Sequence, residues 1–217
     1  MTFTTSGYAK VFHNESVMLA IEEEFEGRSF DEESLEESTF QNCRFTKCSF
    51  KGAILTEAKF ERCQLTDCDL TGVRLTTATV KACLFARCKL VDARLTGTTL
   101  GNCRLIECDL RGAFLSGAAI LGGDLSHSDL SEQDLDGANL RGMRLARVDL
   151  TRATLVGADL REAVLDGAIL SNTRMRNADL RGATFEGVDL RGVELRGAKL
   201  DLSGAVHFAR SHGLRIE

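Results

Sequence analysis

The 217-residue chain has no proline, no tryptophan and one tyrosine; Leu, Ala, Gly, Arg, Thr and Asp make up most of it. So narrow an alphabet predicts a repeating unit. No run of about 18 apolar residues occurs, which excludes a membrane-spanning helix. The first twenty residues, MTFTTSGYAKVFHNESVMLA, lack the basic start and compact apolar core of a signal peptide, so a soluble cytoplasmic protein without membrane contact is expected. A basic excess is missing too: 27 Lys and Arg stand against 32 Asp and Glu, a net charge of −5. That excludes a general nucleic-acid binder, which must neutralise phosphates, and suits a cationic partner surface.

Catalytic signatures are equally scarce. The four histidines, His13, His127, His207 and His212, have no recognisable nucleophile or base beside them, and no G-x-x-x-x-G-K-S/T phosphate loop occurs. A non-enzymatic, cofactor-free protein is expected. At 43% hydrophobic residues the chain has enough apolar material for a real core, which argues against disorder.

What the sequence does have is a rhythm. From Phe25 to Leu200, every fifth residue is large and apolar: 25 Leu, 8 Phe, Val80, Ile120 and Met175, 36 positions without a break. Two residues before these centres stand 14 Ala, 8 Cys and 4 Val, with Ser, Thr or Gly at five more; two residues after them, 15 positions are Gly. A period of five fits neither the 3.6 of a helix nor the 2.0 of a strand, so the chain must turn regularly. If each unit is one side of a square coil, the large centre and the small residue both point inward, and residues twenty apart stack in columns about 4.8 Å per step. About nine coils then make a rod of roughly 43 Å, packed tightly enough that no pocket is expected.

The eight cysteines support four sides to a coil. They form two ladders of step twenty, Cys43, Cys63, Cys83, Cys103 and Cys48, Cys68, Cys88, Cys108, all at the small inward position. There a free thiol acts as a compact hydrophobe. Zinc binding is the sharper alternative, disfavoured because adjacent cysteines sit on different sides of a coil filled with Leu and Phe; disulfides between coils are geometrically conceivable. No metal site is expected.

The units Ala138-Asn139-Leu140-Arg141-Gly142, Ala158-Asp159-Leu160 and Ala178-Asp179-Leu180-Arg181-Gly182 resemble the pentapeptide repeat, A-D/N-L-x-x. The resemblance implies an all-β, right-handed parallel quadrilateral β-helix. Three parts are expected: residues 1–20, whose alternating Val17, Leu19 and Ile21 fit an added strand or a short helix; the repeat, 21–202; and a C-terminal helix and tail, 203–217. In that tail Ser203 is a candidate cap, Ala205, Phe208 and Ala209 an apolar face, and Gly213 a stop.

The tail resembles the terminal helix of quinolone-resistance pentapeptide repeat proteins of the Qnr and MfpA type. That resemblance implies a homodimer joined through Val206, Phe208, Ala209 and Leu214. It also implies a DNA-mimicking rod that occupies the DNA-binding saddle of DNA gyrase or another type II topoisomerase, without binding nucleic acid itself. The plainer use of the helix is to cover the open end of the solenoid, and the two are compatible. The unbroken register favours the MfpA branch, since the Qnr type interrupts its rod with loops.

Charge gives two candidate surfaces. Residues 21–40 hold nine acids against Arg28, and Glu23, Arg28 and Glu33 replace small residues, which suits a solvated N-terminal cap or an acidic tip. Asp109, Asp129 and Asp149 fall in three successive coils, with Asp69 and Asp189 in the same column, a candidate partner-binding line that imitates phosphates. The repeat itself also prefers Asp there, to bond turn backbone. An opposite column carries Arg141, Arg161 and Arg181, expected mainly as salt bridges on a solvated face.

A competing reading is an interaction solenoid with another partner, resting on the outward apolar residues Ile54, Leu84, Ile106, Phe114 and Leu121. Ice binding through Thr56, Thr76 and Thr96 is a weaker one, because the row stops at Ser116.

Overall fold

The computed structural model describes residues 12–14, 17–115 and 117–216. Among them are strands β1 (Phe12–Asn14), β2 (Val17–Ile21), β3 (Glu24–Glu26), β4 (Thr39–Gln41), β5 (Arg44–Thr46), β6 (Lys59–Glu61), β7 (Gln64–Thr66), β8 (Thr79–Lys81), β9 (Leu84–Ala86), β10 (Thr99–Ile106) and β11 (Ala119–Asp124), and one helix, α1 (Leu202–Ser211).

The chain winds as a four-sided parallel β-helix. Pairing runs in steps of twenty, as in Phe25↔Phe45↔Leu65↔Phe85 and Phe40↔Phe60↔Val80↔Leu100. About five turns carry strands. Beyond them single bridges continue the same register, for example Asn139↔Asp159↔Asp179↔Lys199. The four faces are named below by their first centres: Phe25, Phe30, Leu35 and Phe40.

Each side ends in a tight turn. The N–H of Ala53 donates to the carbonyl of Phe50 at 3.1 Å, with Gly52 at φ +62° as a type II turn requires at its third residue. All 36 corners from Glu22 to Gly197 have positive φ, yet 21 of them are not glycine. A left-handed non-glycine residue costs about 1–2 kcal/mol. What offsets it is the corner amide, which donates to the next coil, as from Glu57 to Thr76 at 3.1 Å and from Arg62 to Lys81 at 2.9 Å. Glycine is thus a preference of these corners, not a requirement.

Inside, the centres stack in columns. Phe30 lies on Phe50 with ring centroids 4.6 Å apart, and Phe40 on Phe60 at the same distance. At the N-terminal end β1 pairs antiparallel with β2, and β2 joins β4, so Val17–Ile21 forms the strand of the two alternatives. Residues 1–11, 15 and 16 lie outside the described set. Arg28, in a small-residue position of the first coil, places its guanidinium 4.4 Å from the Phe30 ring centroid and covers the aromatic end of the core.

All eight cysteines are free and buried. Their thiols donate to main-chain carbonyls, as from Cys63 to Phe40 at 3.3 Å and from Cys103 to Val80 at 3.3 Å. The neighbouring thiol of Cys108, together with burial, pushes Cys88 up to about 12; the Cys63 thiol and burial raise Cys43, and burial raises Cys103. In the unfolded chain these groups ionise from their ordinary 9.0 upward, whereas the folded protein keeps them protonated. The stability they contribute is complete below pH 9 and drains away as pH rises toward 12. Urea midpoints measured from pH 8 to 11 are therefore expected to fall more steeply for the native chain than for one with Cys43, Cys63, Cys83 and Cys103 replaced by Ala. Equal slopes would contradict this.

Candidate protein-binding surface

The acidic line lies on the Phe30 face. Bridges join Ser29, Ser49, Asp69, Lys89, Asp109, Asp129, Asp149 and Ile169 in one ladder, so Asp109, Asp129 and Asp149 do stand in three consecutive coils. Asp189 occupies the following coil but is not bridged to Ile169 among the described residues.

Each of these carboxylates first serves its own turn. Asp69, Asp109, Asp129, Asp149 and Asp189 accept from the amides of Thr71, Arg111, Ser131, Thr151 and Arg191, two residues on. Most are also paired: Asp69 with Lys51 at 3.3 Å, Asp109 and Asp129 with Arg111 at 2.6 and 3.5 Å, and Asp189 with Arg191 at 2.7 Å. The Arg111 guanidinium holds the Asp109 carboxyl below its ordinary range, and Arg191 holds that of Asp189 at about 2. Asp109 and Asp189 are thus ionised at neutral pH, and the line is partly neutralised by its own basic partners. The signal was present in the sequence as Asp-Leu-Arg.

On the Phe40 face, Arg161 pairs with Asp159 at 2.5 Å, Arg181 with Asp179 at 2.7 Å and Arg141 with Glu162 at 2.7 Å. These arginines form the expected salt bridges.

At the C-terminal end Asp201, not Ser203, is the N-cap of α1; its carboxylate accepts from Gly204 at 2.9 Å. The inward turn of the helix is Gly204 and Phe208, whereas Ala205 is exposed and does not belong to the packed face. A Cβ on Gly204 would come within 2.9 Å of the Leu200 side chain, so glycine permits the close approach. His207 meets the Val188 carbonyl at 2.9 Å and anchors the helix. Gly213, φ +82°, follows the helix as its stop. Val206 and Ala209 are half-buried, Leu214 is 60% exposed and Leu202, which sequence reasoning passed over, is 82% exposed. Val193, Leu195, Ala198 and Leu200 of the last coil remain only partly covered.

Of the outward apolar residues, Ile54, Leu84 and Ile106 are half-buried, while Phe114 and Leu121 are 57% and 53% exposed. Between them the expectation of a sealed rod fails. A cleft of about 280 Å³ opens between Leu115, Gly117, Ala118 and Ile120 on one side and residues 134–139 on the other, where the coils separate on two faces.

Two pentapeptide repeat family models match the chain, "Pentapeptide repeat region" over residues 38–115 and "Pentapeptide repeats (8 copies)" in overlapping stretches from 123 to 205. The chain belongs to the pentapeptide repeat family. Among solved structures it is similar to a trypsin-treated form of QnrB1, described as a plasmid-mediated fluoroquinolone resistance protein. That form is 25% identical, with 91% of this chain and 99% of that chain covered and a TM-score of 0.79. Full-length QnrB1 is 22% identical, with 90% and 100% covered and a TM-score of 0.68. No curated protein matches the sequence.

Proposed function

We propose that this protein acts without catalysis as a DNA-mimicking rod that binds a type II topoisomerase, DNA gyrase, in the cytoplasm and modulates its activity, including its response to quinolones or a gyrase toxin. The likeness to the quinolone-resistance protein QnrB1 along nine-tenths of the chain carries the reading. The aspartates on the Phe30 face, Asp69, Asp109, Asp129, Asp149 and Asp189, present the negative charge to a cationic DNA-binding saddle. Val206, Phe208, Ala209 and Leu214, beside the incompletely covered last coil, join two rods end to end into a homodimer.

The test is gyrase supercoiling titrated with purified protein, with and without a quinolone. Inhibition, or relief of quinolone inhibition, is the expected result, and no change in either condition would end the reading. Phe208→Asp, which places a charge beside apolar groups, is expected to halve the mass seen by light scattering and to weaken the supercoiling effect several-fold. A native protein already monomeric would remove the end-to-end rod.

A second reading, a solenoid that binds a different protein, is favoured by the exposure of Phe114 and Leu121 away from both ends. Recovery of a dominant partner other than gyrase from a cell extract would select it.

A further inference from the structure

Most coils give their main-chain groups to the next on all four faces. Leu95 N–H donates to Phe114 at 2.9 Å, Leu135 to Thr154 at 2.8 Å and Leu140 to Asp159 at 2.8 Å. Between Leu115 and Asp134, and between Ile120 and Asn139, the matching bonds are absent among the described residues, as are those from Asp134 to Ala113 and from Asn139 to Ala118. The Phe25 and Phe30 faces stay joined at this level through Asp124↔Arg144 and Asp109↔Asp129. The opening is therefore a wedge, confined to the corner between the Leu35 and Phe40 faces.

Its cause is local. β11 pairs with β10 from Thr99↔Ala119 to Arg104↔Asp124, which holds it on the preceding coil. Gly123, φ +128°, permits this approach: a Cβ there would lie 2.0 Å from the Cys103 carbonyl oxygen. The other lip is bonded to the coil beyond it through Asp134↔Thr154 and Asn139↔Asp159. Two well-held stacks thus face each other across the gap. The family models stop at residue 115 and resume at 123, on either side of the same segment.

We propose that this wedge is a binding cleft for an extended peptide of alternating apolar and basic residues. The main-chain amides of Leu115 and Ile120 on one lip and of Asp134 and Asn139 on the other have no partner across the gap among the described residues, and an extended chain satisfies both lips at once. The cleft's 280 Å³ corresponds to about nine waters' share of liquid volume, room for a short length of main chain. Phe114 and Leu121, exposed and next in sequence to the lining residues Leu115 and Ile120, are the apolar side chains available to an occupant that extends past the cleft. Asp134 and Asp136, exposed on its rim, join no ion pair among the described residues, which selects Lys or Arg in the incoming segment.

The test uses the full chain and a fluorescein-labelled (Lys-Val)4 peptide, with a (Glu-Val)4 peptide and a (Lys-Val)4 peptide N-methylated at alternate amides as controls. Hydrogen exchange of the free protein should show the amides of Leu115, Ile120, Asp134 and Asn139 exchanging at least tenfold faster than those of Leu95 and Leu155. The Lys-Val peptide should slow them, while both controls bind at least fivefold more weakly by anisotropy. Asp134→Asn combined with Asp136→Asn should weaken Lys-Val binding at least fivefold, and Phe114→Ala should weaken it too. Equal protection of the two sets of amides in the free protein, no slowing by the Lys-Val peptide, or equal binding of either control would overturn the proposal. None of these readouts involves a topoisomerase, so they stand or fall apart from the gyrase reading.

Discussion

Phe45→Ala is expected to destabilise the protein by about 3–5 kcal/mol. Phe45 is fully buried, stacks on Phe25 with centroids 4.9 Å apart, and meets Phe40 and Phe50 edge to face at 5.6 and 5.4 Å. Removing the ring strips aromatic contacts from two coils at once, and main-chain bonds on every side keep the walls from collapsing into the space. Stability in a solenoid passes from neighbour to neighbour, so the loss should concentrate in the N-terminal coils. Urea denaturation should show an earlier transition, and limited proteolysis should cut before residue 100 while the C-terminal coils resist. Phe114→Ala, at an exposed ring, should shift stability by only about 0.5 kcal/mol. Equal costs at the two positions would contradict the assignment of inward and outward residues.

Gly123→Val should cost about 3 kcal/mol or more. The left-handed corners accept side chains readily, but Gly123 is not one of them. It occupies the inward small-residue position at φ +128°, and any Cβ would meet the Cys103 carbonyl. Valine adds β-branching to that collision, so β11 must lift from β10. Gly137→Ala is the comparison: φ is +67° with nothing within 4 Å of the added Cβ, so only the left-handed cost of about 1 kcal/mol applies. The gap between these two glycines, read from thermal or urea unfolding, separates a corner from a close approach. Similar losses would mean that β10 and β11 do not lie as closely as described.

The square coil was legible in the sequence because every unit repeats the same inward pair, and columns such as Cys43, Cys63, Cys83 and Cys103 make the step of twenty visible. The wedge was not. Leu115, Ile120 and Leu125 keep the register across it, and the opening comes from main-chain bonds, which side-chain spacing does not report. Its one trace is Gly123, alone among the inward residues in lacking a side chain. Residues 17–21 were ambiguous because five alternating residues fit a strand or a helix until β4 is present to pair with them. Ser203 was the cap expected from residue type, but the helix begins two residues earlier and Asp201 takes the position, its carboxylate accepting from the Gly204 amide. The step of twenty made the stacking of Asp109, Asp129 and Asp149 visible, whereas the ion pairs of this column depend on where Arg111 turns.

The measurement that bears most directly on the functional account is competition for gyrase between the purified protein and a labelled duplex DNA. Wild-type protein should displace the DNA, and a variant with Asp109, Asp129 and Asp149 changed to Lys should need at least tenfold more. Failure of the wild type to displace DNA at any concentration, or undiminished displacement by a folded charge-reversed variant, would contradict the claim that this acidic face takes the place of a nucleic acid.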